Sequence, residues 1–299
     1  MSAPLILSIG EAMVELSQAN GDLWSLGIAG DTLNTAWYLR RCLGPGWRVG
    51  YFSRVGTGEF SRRMVDFVKS EGLEAYISTD PDREIGLYAI SLKDGERSFS
   101  YWRDNSAAKR LADDPAALAA ALGECSLAYF SGITLAILPA TGRTQLLDAI
   151  AQSKREGKRV VFDPNLRPRL WSDPDTMRHW IAAAAGLADI VLPSFDDEAT
   201  HFGDADPAAT CVRYLSCGAG TVIVKNGGGD VHFAGPDGRG VVDDLGRETP
   251  IDSTAAGDSF NAGYLAAILA GQTNAQAIRA AHALSRRVVM QKGALVPID

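Results

Sequence analysis

Cysteine and histidine are scarce in this chain, four of each in 299 residues, and their scarcity removes several kinds of chemistry at once. Cys42, Cys125, Cys211 and Cys217 are scattered without Cys-x-x-Cys spacing, which argues against a disulfide scaffold or a zinc site and leaves them to core packing. His179, His201, His232 and His282 show no ligand spacing either. No long apolar run exists to span a bilayer, although 46% of the residues are apolar. The short apolar run at 5–9 has no basic flank and leads directly into Gly10 and Glu11, so it does not read as a signal peptide, and a cytoplasmic location is expected. Positive charge is in the minority. A formal net charge of -7 disfavours nucleic acid and anionic membranes as partners, and any anionic substrate must find its cations locally.

Several phosphate motifs are missing as well. There is no Gly-x-x-x-x-Gly-Lys-Ser/Thr run, hence no P-loop, and no protein-kinase pair of Gly-rich loop and catalytic loop. Gly56-Thr-Gly58 begins like a dinucleotide fingerprint, but Ser61 stands at the third glycine position. Neither Gly142-Arg-Thr nor Ser131-Gly forms a nucleophile elbow. No linker, repeat or low-complexity segment divides the chain, whose length allows one large core or two modest ones.

What the chain does have is an alternation of short β-branched runs and longer helical patterns, the signature of a doubly wound, mostly parallel sheet with helices on both faces. Strands are predicted at 5–9, 49–52, 127–130, 160–162, 190–192 and 221–224, and helices at 32–43, 139–156, 175–187 and 273–291. Thr273 and Gln276 have capping-box spacing at the start of the last helix, which stops before Gly293. Polar or flexible residues follow each strand: Gly10-Glu11, Ser53-Arg54, Ser131-Gly132, Asp163-Pro-Asn165, Pro193-Ser194 and Lys225-Asn-Gly-Gly. Doubly wound sheets bind ligands at those carboxyl ends.

One segment breaks the alternation. Residues 86–92 and 97–102 read as two strands around an Asp94-Gly95 turn, with Tyr88 and Ile90 on one face and Phe99 and Tyr101 on one face of the partner strand. Such a hairpin is either an edge extension of the main sheet or a separate small sheet over the ligand crevice. Tyr101, Trp102 and Arg103 favour the second, because aromatic and guanidinium groups suit a polyol or acid ligand. Arg103 has a plainer reading too, a surface pair with Asp104.

The most informative stretch is Asp252-Ser-Thr-Ala-Ala-Gly-Asp258, which runs directly into the helical pattern Ser259-Phe-Asn-Ala-Gly-Tyr-Leu. The N–H groups of Ala255, Ala256 and Gly257 are predicted to be free donors at a helix N-terminus, an anion site. Asp258 then has two readings: a first-turn acid complementing the helix dipole, or a base that takes a hydroxyl proton while the amides hold a phosphoryl group.

This stretch resembles the carboxyl-terminal signature of the ribokinase-like (PfkB) carbohydrate kinases, and Gly30-Asp-Thr-Leu-Asn-Thr35 resembles their amino-terminal one. Four further stretches, 10–16, 95–103, 131–138 and 162–171, are similar to the 2-keto-3-deoxygluconate kinases within that family. The resemblance covers nearly the whole chain in order. It implies a single ribokinase-like domain over 1–299, with a small β-sheet lid formed by segments near 11–29 and 86–104.

It also implies ATP-dependent phosphorylation of a sugar acid, 2-keto-3-deoxy-D-gluconate, to its 6-phosphate, with Mg2+ and with a monovalent cation such as K+ near Asp252. By the same resemblance Asp258 is the base and Ala255, Ala256 and Gly257 are the anion hole. The nucleotide would lie near Asn165, Arg167, Ser194, Lys225, Gly227, Gly228, His282 and Ala283, besides that anion loop. The sugar acid would lie against Gly30, Asp31 and Asn34, under Tyr88, Tyr101 and Arg103, beside Ile133 and Arg167, and Glu198 would serve the metal. Two departures stand out. Ala255 replaces the glycine usual in the family and would be strained at positive φ, although the ketodeoxygluconate kinases commonly carry it. Phe195 replaces the asparagine of the family's Asn-x-x-Glu motif, which weakens the case for Glu198. Another sugar kinase of the family, such as a fructokinase, and a catalytically silent sugar-acid sensor are the alternatives. A homo-oligomer is expected, with neither nucleic acid nor membrane as partner.

Overall fold

Leu5–Ile9 (β1) carries no charge and is buried throughout, as a strand covered on both faces must be. Its period of two divides the core: Leu5, Leu7 and Ile9 join one apolar cluster, while Ile6 joins the other and the Ser8 hydroxyl donates to Thr32 O beside it. In this computed structural model, which describes residues 3–19, 22–93 and 96–298, the strands that follow are Met13–Gln18 (β2), Trp24–Ala29 (β3), Arg48–Val55 (β4), Glu74–Thr79 (β5), Gly86–Lys93 (β6), Glu96–Trp102 (β7), Leu127–Ser131 (β8), Arg159–Asp163 (β9), Ile190–Val191 (β10), Thr221–Val224 (β11), Val231–Gly235 (β12) and Gly238–Val242 (β13).

The large sheet has the order β13-β12-β11-β10-β9-β8-β1-β4-β5, parallel from β5 to β11 and antiparallel at β12 and β13. From β1 the chain winds outward through β4 and β5, then returns to β8 and winds the other way. The order therefore reverses between β1 and β8, and a crevice is expected at their carboxyl ends. Helices Pro115–Glu124 (α3), Gly132–Ile137 (α4), Ala140–Arg155 (α5), Pro174–Leu187 (α6), Phe195–Phe202 (α7) and Pro207–Ser216 (α8) serve the face of Leu5 and Leu7. Asp31–Cys42 (α1), Glu59–Ser70 (α2), Ala256–Leu269 (α9) and Asn274–Val289 (α10) cover the opposite face. Thr273 caps α10 in a reciprocal box with Gln276, as its spacing predicts. Among the described residues no helix is long and apolar enough to cross a membrane.

The second sheet is separate from the first, with order β3-β2-β6-β7. It is built from two excursions of the chain, one between β1 and α1 and the other between β5 and α3. Tyr88 pairs with Tyr101 and Ile90 with Phe99, so these side chains share a face. The Tyr88 ring stacks on Tyr101 at 5.8 Å and lies 6.5 Å from Phe99. The Asp94-Gly95 turn lies outside the described residues. Every predicted strand and helix is present, with ends shifted by at most three residues. β5, β12 and β13 escape sequence reading because they are short, half-exposed or at the sheet's edges, where the apolar run that marks an interior strand is absent.

Candidate active site

Four strand ends and two helix starts converge on the crevice. Gly30 brings the chain from the small sheet into α1, and it approaches so closely that any side chain on it would strike Glu11 O. Asp31 opens α1, and Asn34, one turn later, donates from Nδ2 to Asp258 Oδ2 at 2.8 Å. The Asn34 Oδ1 in turn accepts the Gly30 N–H at 3.3 Å, which fixes the amide's orientation. Across the crevice Asn165 Nδ2 donates to Asp31 Oδ2 at 2.8 Å. The two family signatures, more than 200 residues apart in sequence, are thus joined by hydrogen bonds, Thr35 Oγ1 also donating to Asp258 O at 3.4 Å.

Asp258 lies in the first turn of α9, and part of its side chain is open to the crevice. Burial by the surrounding protein pushes its carboxyl up to about 8, the charge of Asp31 adds to this, the Asn34 bond opposes it, and Asp163 and Lys225 act in opposite senses. Asp31 is raised by the same burial, against hydrogen bonds from Ser131 and Asn165. Ala255 takes the left-handed conformation, φ 59°, that a helix start here demands, so the strain anticipated from its methyl is present. Asn165, φ 34°, and Ala255 are the two non-glycine residues at positive φ among those described, and both border this crevice. Of the three amides predicted to be free, Ala256 N–H donates to Ser253 O at 3.2 Å, because the last residues before the helix close a tight turn. Those of Ala255 and Gly257 have no backbone partner among the described residues.

Beneath Asp258 lies a polar network that the sequence reading did not single out. Asn261 is fully buried one turn along α9; its Nδ2 donates to Asp163 Oδ2 at 2.7 Å and to Tyr129 Oη at 3.0 Å, and its Oδ1 accepts from Lys225 Nζ at 3.1 Å. Lys225 Nζ also stands 3.5 Å from Asp163 Oδ2. Thr35 donates to Tyr129 Oη at 3.2 Å. The available signal was an asparagine inside an otherwise apolar helix pattern, since a buried polar side chain needs partners.

The small sheet contributes Tyr88, whose hydroxyl donates to Glu15, and the exposed Tyr101. Arg103 is mostly buried and pairs with Glu11, itself buried, and not with Asp104 as its plainer reading had it. Glu11 follows β1 and Arg103 follows β7, so the pair ties together two of the points where the chain passes between the sheets. Arg103 Nε and Glu11 Oε1 are buried without a partner.

Of the residues expected to face the nucleotide, Ser194 and Lys225 form an isolated parallel bridge at the strand ends, and Gly227 and Gly228, φ 52° and 83°, make the exposed turn after it. His282 Nε2 donates to Gly246 O at 2.6 Å. Ala283 does not accompany it: one residue on in a helix is rotated by about 100°, and Ala283 lines a groove of about 470 Å³ with Arg41 and Arg287 on the outer side of α1, α9 and α10. Arg167 is half exposed, 3.9 Å from Asp197, and donates to Leu166 O. Ile133 is partly buried on α4 and packs against the core. Glu198 is fully buried, with Oε1 accepting from Tyr214 at 2.8 Å and Oε2 from Arg213 at 2.6 Å, so both its oxygens serve an internal network instead of standing open to a metal. Asp252 Oδ1 accepts the Thr254 N–H at 2.9 Å and Oδ2 the Gly293 N–H at 2.7 Å.

Residues 3–299 match the model of the pfkB family of carbohydrate kinases. The chain is 36% identical over 301 residues to the 2-dehydro-3-deoxygluconokinase of Escherichia coli strain K12, covering 98% of this chain and 97% of that protein. It is 34% identical to that of Dickeya dadantii strain 3937, covering 100% and 99%. Among solved structures, a putative ribokinase II from E. coli in complex with ATP and Mg2+ superimposes with a TM-score of 0.83 over 98% of this chain and 94% of that one, at 23% identity. The chain belongs to the pfkB family of carbohydrate kinases, and its fold is ribokinase-like.

Proposed function

We propose, from that membership, that this kinase transfers the γ-phosphoryl group of ATP to the 6-hydroxyl of 2-keto-3-deoxy-D-gluconate, the substrate that the relatives' name, 2-dehydro-3-deoxygluconokinase, implies. The observation that carries the mechanism is the Asn34–Asp258 hydrogen bond beside the start of α9. It puts a base, a sugar-facing amide and an anion-binding loop within one small volume. The sugar acid lies against Gly30, Asp31 and Asn34, with Tyr88, Tyr101 and Arg103 on the small-sheet side. The nucleotide runs from the His282 side past Gly227, Gly228, Ser194 and Asn165 to the anion loop.

The substrate hydroxyl gives its proton to an Asp258 carboxylate oxygen as the new O–P bond forms and the bond from the γ-phosphorus to ADP breaks. The loop amides hold the phosphoryl oxygens, and Lys225 supplies positive charge from below. Asn34 orients the carboxylate. Asp31 and Asp163, both anionic neighbours, raise its basicity at the cost of a population that is protonated at neutral pH. Mg2+, when bound, neutralises charge on the phosphates. No group of three or more His, Cys, Asp or Glu among the described residues is placed to hold a metal ion. A monovalent cation such as K+ would belong by Asp252, whose buried carboxylate is fixed by two backbone amides and fits as an oxygen ligand.

A coupled ADP-release assay over a panel of sugars tests the reading. Turnover with the ketodeoxy acid well above that with fructose supports it. Preference for fructose assigns another sugar kinase of the family, and sugar-acid binding without ADP release assigns a sensor.

A further inference from the structure

We infer that Asn261 is a positioning residue for the transfer step: by gripping Lys225 and Asp163 together, it aims the lysine ammonium at the anion loop. The inference rests on the kinase reading above and concerns which step Lys225 serves. Three observations carry it.

First, the ammonium lies close beneath the loop. Its Nζ is 3.6 Å from the point that a Cβ on Gly257 would occupy, and the lysine is only 8% exposed. A charge placed there meets the transferring phosphoryl group, not the outer nucleotide. Second, Asn261 is fully buried and bonded to three elements: Lys225 at the end of β11, Asp163 at the end of β9 and Tyr129 in β8. Its orientation is determined. Rotating the amide by half a turn would set the NH2 against an ammonium and the carbonyl against a carboxylate, so Oδ1 must face Lys225. Third, Asn261 follows Asp258 by three residues in α9, so base and positioning group are held by one rigid turn.

A lysine has a flexible stem and costs much entropy to hold, so a single contact would not fix it. Asp163 alone attracts Lys225, but its separation of 3.5 Å is long for a direct charge-assisted bond. The asparagine at 3.1 Å completes the hold without adding charge. Thr35 and Tyr129 extend the network from α1 and β8 toward Asn261.

The experiment is a kinetic double-mutant cycle of Asn261→Ala and Lys225→Met, each variant first shown to melt cooperatively. Asn261→Ala is expected to lower kcat by roughly tenfold to a hundredfold, the loss of one charge-assisted contact, with both KM values changed by less than about threefold. The double variant is expected to be no slower than Lys225→Met, because Asn261 acts through the lysine. Losses that multiply, or a change confined to either KM, overturn the inference. Should Asn261→Ala fail to fold, Asn261→Ser keeps a small polar group and enters the same cycle. The wild type separates this inference from the functional reading: if it phosphorylates a sugar other than the ketodeoxy acid, the substrate assignment fails, and the cycle, run with the sugar accepted, still decides the role of Asn261. A wild type that phosphorylates no sugar overturns both.

Discussion

The floor of the crevice and the small sheet above it differ in how much side-chain surface they leave open, although both contain buried polar pairs. On the floor, Asp163, Asn261, Tyr129 and Lys225 are buried and joined through Asn261, and the buried Asn34 is bonded to Asp258. On the small sheet Tyr101 is 54% exposed and Phe99 46%, on the face they share with the buried Tyr88. A reacting group must be held in one geometry and gains from a fixed, satisfied surround, whereas surface that receives a substrate must be free before the substrate comes. Chemistry and recognition are therefore separable in this protein, and variants on the two sides are expected to fail differently.

The largest effect belongs to the floor. Asp258→Asn is expected to lower kcat by roughly 10² to 10⁴, with both ligands still bound, because only the base is lost. Calorimetric or fluorescence titration of the variant with each ligand checks the second half. Substantial turnover would remove Asp258 from its role.

The same carboxyl makes a pH prediction. Its native value of about 8 lies above the ordinary 3.8 expected when unfolded, so between those values the native protein keeps a proton that the unfolded chain has lost. Stability from this group is complete below about pH 4 and falls as pH rises toward 8. Activity moves the other way, since the base must be ionised: kcat/KM is expected to rise with pH to a midpoint near 8. Thermal melts of the wild type and Asp258→Asn from pH 5 to 9 check the first, with the variant gaining relative stability as pH rises. A pH-rate profile checks the second.

The small-sheet side predicts a smaller and more selective loss. Arg103→Leu is expected to cost the sugar acid about 1.5 to 3 kcal/mol, roughly tenfold to a hundredfold in kcat/KM, while ATP and a neutral ketose are little affected. Because the change also strands the buried Glu11, stability falls too. Arg103→Leu with Glu11→Leu should recover stability without recovering the acid. Recovery of both would mean that the pair serves the fold alone, and the contrast between floor and small sheet would lose its best example.

Ala255→Gly should do least. It removes the strain of an alanine at positive φ, about 1 to 2 kcal/mol, but adds the chain entropy of a glycine, about 0.5 to 1 kcal/mol, leaving a gain of at most about 1.5 kcal/mol in denaturant melts. A clear loss of stability would show that the methyl makes contacts which outweigh its strain.

How much of this was legible in sequence depended on burial. Interior parallel strands such as β1 and β8 read clearly because both faces are apolar. The small sheet announced itself through the alternation at 86–92 and 97–102. Asp258 was visible because small residues lead into its helix, whereas Gly30 and Asn34 were found through the resemblance of 30–35 to a family signature. The Asn261 network was not, since an isolated polar residue in an apolar helix gives no sign of which partners the fold will bring to it. Nor was the Glu11–Arg103 pair, whose members are separated by the whole of the small sheet and α1, β4, α2 and β5. The resemblance assigned Ala283 together with His282, and helical rotation sends the two apart.

The Asp252 bridge to Gly293 carries a consequence for the order in which the protein is made. The loop that begins at Asp252 is tied to a backbone amide 41 residues later, and Tyr38, in α1, donates its hydroxyl to Ala294 O at 2.8 Å. Synthesis runs from the amino end, so the sheet and the sugar-facing side can fold while the ribosome is still at work. The ties that Asp252 makes to Gly293 and Tyr38 to Ala294 can form only once residues 293 and 294 have emerged, so the loop before α9 and the contact of α1 with the carboxyl-terminal segment are completed late.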